Sequence, residues 1–325
     1  KFSVLGLKST ARKKLLRLRR QLFLLQAAYE FDDKMLSNHT MGQKFHRLGH
    51  PGNTGDGVRM AQAAGADLWH MNALSCPLGL VVPGLKTALQ INMLAPSHIY
   101  VDQDGKRFVN EKMDNHTCIY GVNLLDAVKH RYPRIPCFVI FDEEARKRGP
   151  IIGGATSGYA LNREDYKWSK DNSAEIEKGV IVSAPTIEEL AKKINVPAEN
   201  LVETVKRWNE QITAGADKDF GRPLEKKGKV AFEGREALII SRPIGEGPYY
   251  AAELYPAILN TQGGPKRNKL GQVLDPFGYP IPRLYSAGEL GSMWGHIYQG
   301  ATNNSEACVF GRIAGRTAAG EQNWQ

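Results

Sequence analysis

The sequence predicts an α/β chain that carries an inserted α+β domain. Three observations lead there: helices with Ala- and Gly-lined faces towards both ends, strand and hairpin signals between them, and two amphipathic helices after the middle of the chain. At 325 residues the chain is long enough for two domains, each burying its own core.

Residues 55 to 67, GDGVRMAQAAGAD, predict the first helix. Val58, Ala61, Gln62 and Gly65 fall at helical spacing, and the Gly and Asp before them suit its start. Small residues on that face imply close packing on a sheet or against a ligand. LGLVVPGL (78 to 85) is short and broken by Pro83, and no apolar run approaches the roughly 20 residues of a membrane helix. HIYVDQDGKRFVNE (98 to 111) reads as a hairpin turning at QDGK. CFVIFDEEARKRG (137 to 149) reads as a buried strand followed by a short helix.

Thr186 and Glu189 stand at capping-box spacing, and Pro197 suits the first position of the next helix. Along that helix Leu201, Val205, Trp208 and Ile212 form one apolar stripe, with Glu203 and Arg207 paired at i, i+4 outside it. ITAGADKDFGRPLEKKGK (212 to 229) is polar and loop-rich, as the approach to a domain boundary is. Short strands return after 248 and end in LYSAGELGSMWGHIYQGATNNSEACVFGRIAG (284 to 315): a strand, a Gly-punctuated turn holding Glu289, and a helix starting near Asn303, Asn304 and Ser305.

The net charge of +9 is local, because residues 1 to 29 hold eight basic and no acidic residues and account for all but +1 of it. KLLRLRRQLFLL mixes apolar and basic positions, as a pair of strands with solvated basic side chains does. No aromatic platform accompanies the charge, so a nucleic-acid partner is not expected. Cys76, Cys118, Cys137 and Cys308 lie far apart without a C-x-x-C, against both a zinc site and a disulfide framework. His46 and His50 are interrupted by Gly49 and followed by Pro51, and no metal site is expected. No tripartite secretion segment is visible after Lys1, which leads to the expectation of a soluble, cytoplasmic chain with reduced thiols.

Neither a G-x-G-x-x-G loop nor a G-x-x-x-x-G-K-[ST] loop occurs, and GNTGDG (52 to 57) has a different glycine spacing. The helix beginning near Asn303 is more informative, since its N-terminus carries partial positive charge and stabilises an anionic oxygen. Glu289 stands where a carboxylate accepts hydrogen bonds from hydroxyl groups.

On these residues a resemblance can be named. The stretch from YYAAELYP to FGRIAG resembles the carboxy-terminal FAD-binding block of the fumarate reductase and succinate dehydrogenase flavoprotein superfamily, which includes the 3-ketosteroid 1-dehydrogenases. IYVDQDGKRFVNE is similar to the family's cap-domain entry, and NTGDGVRMAQAAGADLW to its central FAD-contacting helix. The resemblance implies part of a Rossmann-like FAD-binding domain at 1–80 and 248–325, with an α+β cap at 81–247. It also implies an amino-terminal dinucleotide loop that this chain lacks, so a truncated flavoprotein is expected. The implied cofactor contacts are Gly55 and Asp56 in TGDG, Gly263 and Gly264 in NTQGG, Gly288 and Glu289 in SAGE, and Asn304 with Ser305 at the helix start.

Departures from the family narrow the chemistry. Cys76 stands in the place of the histidine in the H-P-T motif of fumarate reductases, KMDNHTCIYG has no arginine, and the dicarboxylate-clamping positions fall at Asn260 and about Gln299. Without those cations fumarate reduction is not expected. GHIYQG resembles the GHTYPG of ketosteroid dehydrogenases, which puts Tyr298 first among the catalytic candidates, followed by His116 and His296. The second tyrosine of those enzymes is missing, with Asn115 and His116 at that point and Tyr120 nearby.

The expected function is an FAD-dependent oxidoreductase transferring a hydride equivalent to or from an activated C–C bond of a small, uncharged or aromatic substrate, with an electron partner that the residues do not name. The rival readings are an incompetent remnant of such a protein and, third, a basic nucleic-acid-binding module.

Overall fold

The computed structural model describes residues 17–18, 21–24, 28–40, 45–112, 118–152, 166–226, 238–295, 298 and 302–322. The chain divides into two compact units: residues 1–43, 50–75 and 260–325 form the first, and 44–49 with 76–259 the second.

The second unit is built around the strand Tyr249–Ile258. It pairs antiparallel with Cys137–Phe141, Ile181–Ala184 and Leu78–Leu80, and parallel with His46–Arg47. His98–Val101 adds to the outer edge of Cys137–Phe141. The unbroken apolar run CFVIF is explained by this position, because the strand is covered on both faces. Val139 and Phe141 point into a core with Leu78, Leu80, Tyr100 and Leu254. Phe138 and Ile140 point the other way, against Leu190, Leu201, Val205, Trp208 and Ile212.

The apolar stripe expected on the helix Ala198–Thr213 is therefore the stripe that covers this second face. Pro197 is its N-cap rather than its first helical residue, and Thr186 caps the preceding helix Ile187–Lys193 by accepting the Glu189 N–H at 3.2 Å. Arg207 does not close on Glu203 as expected but takes Asp219 in a two-point contact at 2.8 and 2.5 Å.

Within the polar stretch after 212, Asp217 and Arg222 are buried at 6% and 1% exposure. The hairpin at 98–111 forms its turn, with Asp102 N–H bonded to Lys106 O, but its second limb is reduced to a bridge between Val101 and Arg107. Arg107 is drawn instead to Glu111 and Asp217 at 2.9 and 3.0 Å, and lies over the Trp208 ring. The strand Tyr249–Ile258 belongs wholly to this unit.

In the first unit Gln21–Leu24 runs parallel to Pro280–Ser286, flanked by Arg17–Leu18 and Gln272–Leu274. Asn260–Thr261 pairs with Leu74–Ser75, and Gly264–Pro265 with Leu68–Trp69. The helix Asp56–Ala63 forms where expected, burying Val58 and Ala61 and packing against Gly264–Pro265. The last helix, Thr302–Ala319, sets Ala314 and Ala318 against Tyr285. Gly271, at φ +77°, lets that contact close: a Cβ there would lie 2.8 Å from the Ala314 Cβ. Among the described residues no helix is long and apolar enough to cross a membrane.

Candidate functional site

The first unit brings Gly263, Gly264, Gly288 and Glu289 around one crossing of chain segments. Gly291 N–H donates to Gly263 O at 3.2 Å and Ser292 N–H to Gln262 O at 2.9 Å, so the turn after Glu289 lies along the NTQGG segment. The approach is close enough to require glycine on both sides. A Cβ on Gly264, at φ +153°, would lie 2.5 Å from Gly291 N, and one on Gly263 would lie 2.6 Å from Met71 Cα. Trp69 Nε1–H holds Gly291 O at 3.0 Å, and His70 Nδ1 meets Ser292 O at 2.7 Å, its ring stacked on Trp69 at 4.4 Å.

A buried ion pair fixes the same turn from the other side. Arg267 donates to Gly288 O and Leu290 O at 3.0 Å each and pairs with Glu306, both residues being about 5% exposed or less. Glu306 in turn accepts Ser292 Oγ–H at 2.6 Å and Met293 N–H at 2.8 Å. Neither Arg267 nor Glu306 was singled out from sequence. A basic residue beside GGPK and an acid in the first turns of a helix look solvated until the fold pairs them across 39 positions.

Glu289 Oε2 accepts from two carboxamides, Asn260 Nδ2–H and Asn303 Nδ2–H, the latter at 2.9 Å. Burial pushes the carboxyl above the usual carboxylate range, and the two amide donors oppose that shift. The neighbour that the helix start supplies is thus Asn303. Asn304 and Ser305, in the same turn, are exposed.

Gly55 is the left-handed N-cap of the helix Asp56–Ala63, at φ +73°, where a Cβ would lie 3.0 Å from Tyr29 Cβ. Asp56 opens the helix and meets Arg59 at 3.5 Å. Tyr298 is half-buried, and His116 and His296 lie outside the described residues.

Whether these residues suit a flavin is tested by the polar atoms they leave over. Among the described residues, Asn260 Oδ1, Asn303 Oδ1 and both polar atoms of the Gln262 carboxamide are buried without a hydrogen-bond partner. Native structures leave few such groups, and clusters of them mark where another molecule supplies the missing half. Unpaired acceptors beside a carboxylate suit hydroxyl donors, and a dry carboxamide suits a planar polar ring. The donor set therefore fits FAD.

Comparison with known proteins agrees. Residues 4–305 match the family model described as an FAD binding domain. The chain is 30% identical over 325 residues to a 3-oxosteroid 1-dehydrogenase of Mycolicibacterium smegmatis, covering 94% of this chain and 53% of that protein. It is 30% identical over 273 residues to a cytochrome-type fumarate reductase of Shewanella frigidimarina, covering 83% and 40%. A solved structure similar to it is the 3-ketosteroid delta1-dehydrogenase of Sterolibacterium denitrificans in complex with 1,4-androstadiene-3,17-dione, with a TM-score of 0.73, 26% identity, and coverage of 91% and 52%. The chain spans about half the length of the curated relatives it matches. A family match over nearly the whole chain, on a fold whose glycine crossing and unpaired carboxamides fit a flavin, has one consequence: the chain belongs to the FAD binding domain family, and its cofactor is FAD.

Proposed function

We propose that this chain is the flavin- and substrate-bearing part of an FAD-dependent oxidoreductase acting on a CH–CH group of a small, uncharged or aromatic substrate. The observation that supports it best is the partly buried Glu289 held by Asn260 and Asn303, with unpaired carboxamide atoms around it. The relatives named for oxosteroid oxidation favour the CH–CH assignment.

Bound FAD supplies the hydride acceptor or donor. The residues of the chain would do the rest. Glu289 accepts hydrogen bonds from hydroxyls of the cofactor, and Gly55, Asp56, Gly263, Gly264 and Gly288 let backbone and one carboxylate approach it. The N-terminus of Thr302–Ala319, with Asn304 and Ser305 in its first turn, favours negative charge on a nearby ligand oxygen. Tyr298 donates a hydrogen bond to the substrate carbonyl, where enolate charge develops, and His116 or His296 exchanges the proton. Fumarate is disfavoured because a dicarboxylate needs cations, whereas Asn260 is neutral and engaged with Glu289 and Cys76 is a buried thiol.

The test is to add FAD to the purified full chain and record the visible spectrum after desalting, then to assay enones and acrylates by dye-linked oxidation or reduction. A protein-bound flavin band with turnover of a neutral enone supports the reading. No retained flavin at micromolar protein would establish the rival, a catalytically incompetent remnant.

A further inference from the structure

We propose that the carboxamide of Gln262 is a hydrogen-bonding partner of the flavin's pyrimidine edge, where a ring carbonyl lies beside an N–H. The inference rests on the FAD reading above and assigns within it a residue that the family motif did not single out. Gln262 is 1% exposed, yet neither Nε2 nor Oε1 has a hydrogen-bond partner among the described residues. Its backbone is fixed from both sides, N–H on Ala73 O and C=O on Ser292 N–H, each at 2.9 Å. The side chain therefore cannot reach other partners by a backbone adjustment.

The chain direction places it on the ligand side. Thr261 uses the opposite face of the segment, where its Oγ1 accepts Tyr29 N–H at 3.0 Å. In extended chain, residues two apart share a face, so Gln262 lies on the side of Asn260, whose amide holds Glu289 and whose Oδ1 is also unpaired.

The chemistry of the missing partner follows from what is unsatisfied. A primary carboxamide presents a donor and an acceptor in one plane. A ketone would satisfy only Nε2–H, a carboxylate would repel Oε1, and a single hydroxyl would leave one of the two dry. A planar edge with acceptor and donor side by side satisfies both, and the pyrimidine ring of the flavin carries one.

The test compares the full-length wild type with Gln262→Leu and Gln262→Glu, measuring apo thermal unfolding and FAD affinity by titration of the visible band. An unpaired buried amide can be replaced by an apolar group of similar size without loss of stability. Gln262→Leu is therefore expected to keep or raise the apo Tm while weakening FAD binding by about tenfold or more, the effect of one lost buried hydrogen bond. Gln262→Glu is expected to bind FAD progressively better as pH falls and its carboxyl protonates, a dependence absent from wild type. A lowered apo Tm for Gln262→Leu with wild-type FAD affinity overturns the proposal, as does pH-independent binding by Gln262→Glu. A wild type that takes up no FAD overturns the family-based reading itself, and this assignment with it; equal binding by wild type and both variants overturns this assignment alone.

Discussion

One buried polar cluster in each unit shows two ways of handling polarity. In the second, Arg107, Glu111, Asp217 and Arg222 lie within a few ångströms of one another, and each carboxylate meets a guanidinium. Arg222 also donates to the carbonyls of Pro96, His98 and Ile240. In the first, the carboxamides of Asn260 and Asn303 are sheltered and half used, and that of Gln262 is not used at all. A network of paired charges of this kind, complete but for Arg222 Nε, contributes to a rigid, specific core, and half-used carboxamides mark a place where a ligand can supply the missing partners.

The contrast can be broken most forcefully in the closed network. Arg107→Met leaves Glu111 and Asp217 short of a guanidinium in a dry interior, and should cost about 3–5 kcal/mol in urea unfolding followed by tryptophan fluorescence. Arg267→Met leaves Glu306 buried and releases Gly288 O and Leu290 O. Its expected cost is about 3 kcal/mol in the same measurement, with a shift in Trp69 emission as Gly291 loosens.

A smaller effect comes from His98, whose imidazole is held well below its ordinary pKa by burial and by the charges of Arg222, Lys112 and Arg107. The folded side chain stays neutral while the unfolded one takes up a proton, so the linked stability is present above about pH 6.5 and lost as pH falls. Wild type should lose about 1.4 kcal/mol per pH unit between about pH 6.5 and 5. His98→Asn, which keeps a donor for Ala95 O, should remove that slope.

The opposite sign is expected at Glu289, and it is the smallest of these effects. Its carboxyl is raised, so the linked stability is full below the ordinary carboxylate range and fades as pH rises through the folded pKa. Glu289→Gln should flatten that decline in apo urea midpoints while weakening FAD uptake. If both variants at 98 and 289 leave the pH profiles unchanged, the contrast between the units has no thermodynamic content.

Local patterns were legible in sequence where one element decides its own environment. The stripe Leu201, Val205, Trp208 and Ile212, the run CFVIF and the helix 56–63 all follow from period and composition. Gly264 of NTQGG approaches backbone closely because it has no side chain, but Gly291, on which it closes, was not singled out from sequence. What sequence did not disclose is pairing across distance. Arg107 and Asp217 are separated by 110 positions, so a polar loop after 212 hid two interior charges and the second limb of the hairpin was overestimated. At the site, the hold of Asn303 on Glu289 was not read from sequence, because it joins a turn to a helix start 14 positions away.

The crossing of Gly264 with Gly291 sets a limit on how this protein can be redesigned. Each would drive its own Cβ into the other segment's backbone, Gly264 into Gly291 N and Gly291 into Pro265 O. Randomised libraries aimed at a new substrate should hold both positions fixed, because even alanine there would act as a wedge between the two segments. Diversity is better spent at positions away from the seam, where a changed side chain leaves it shut.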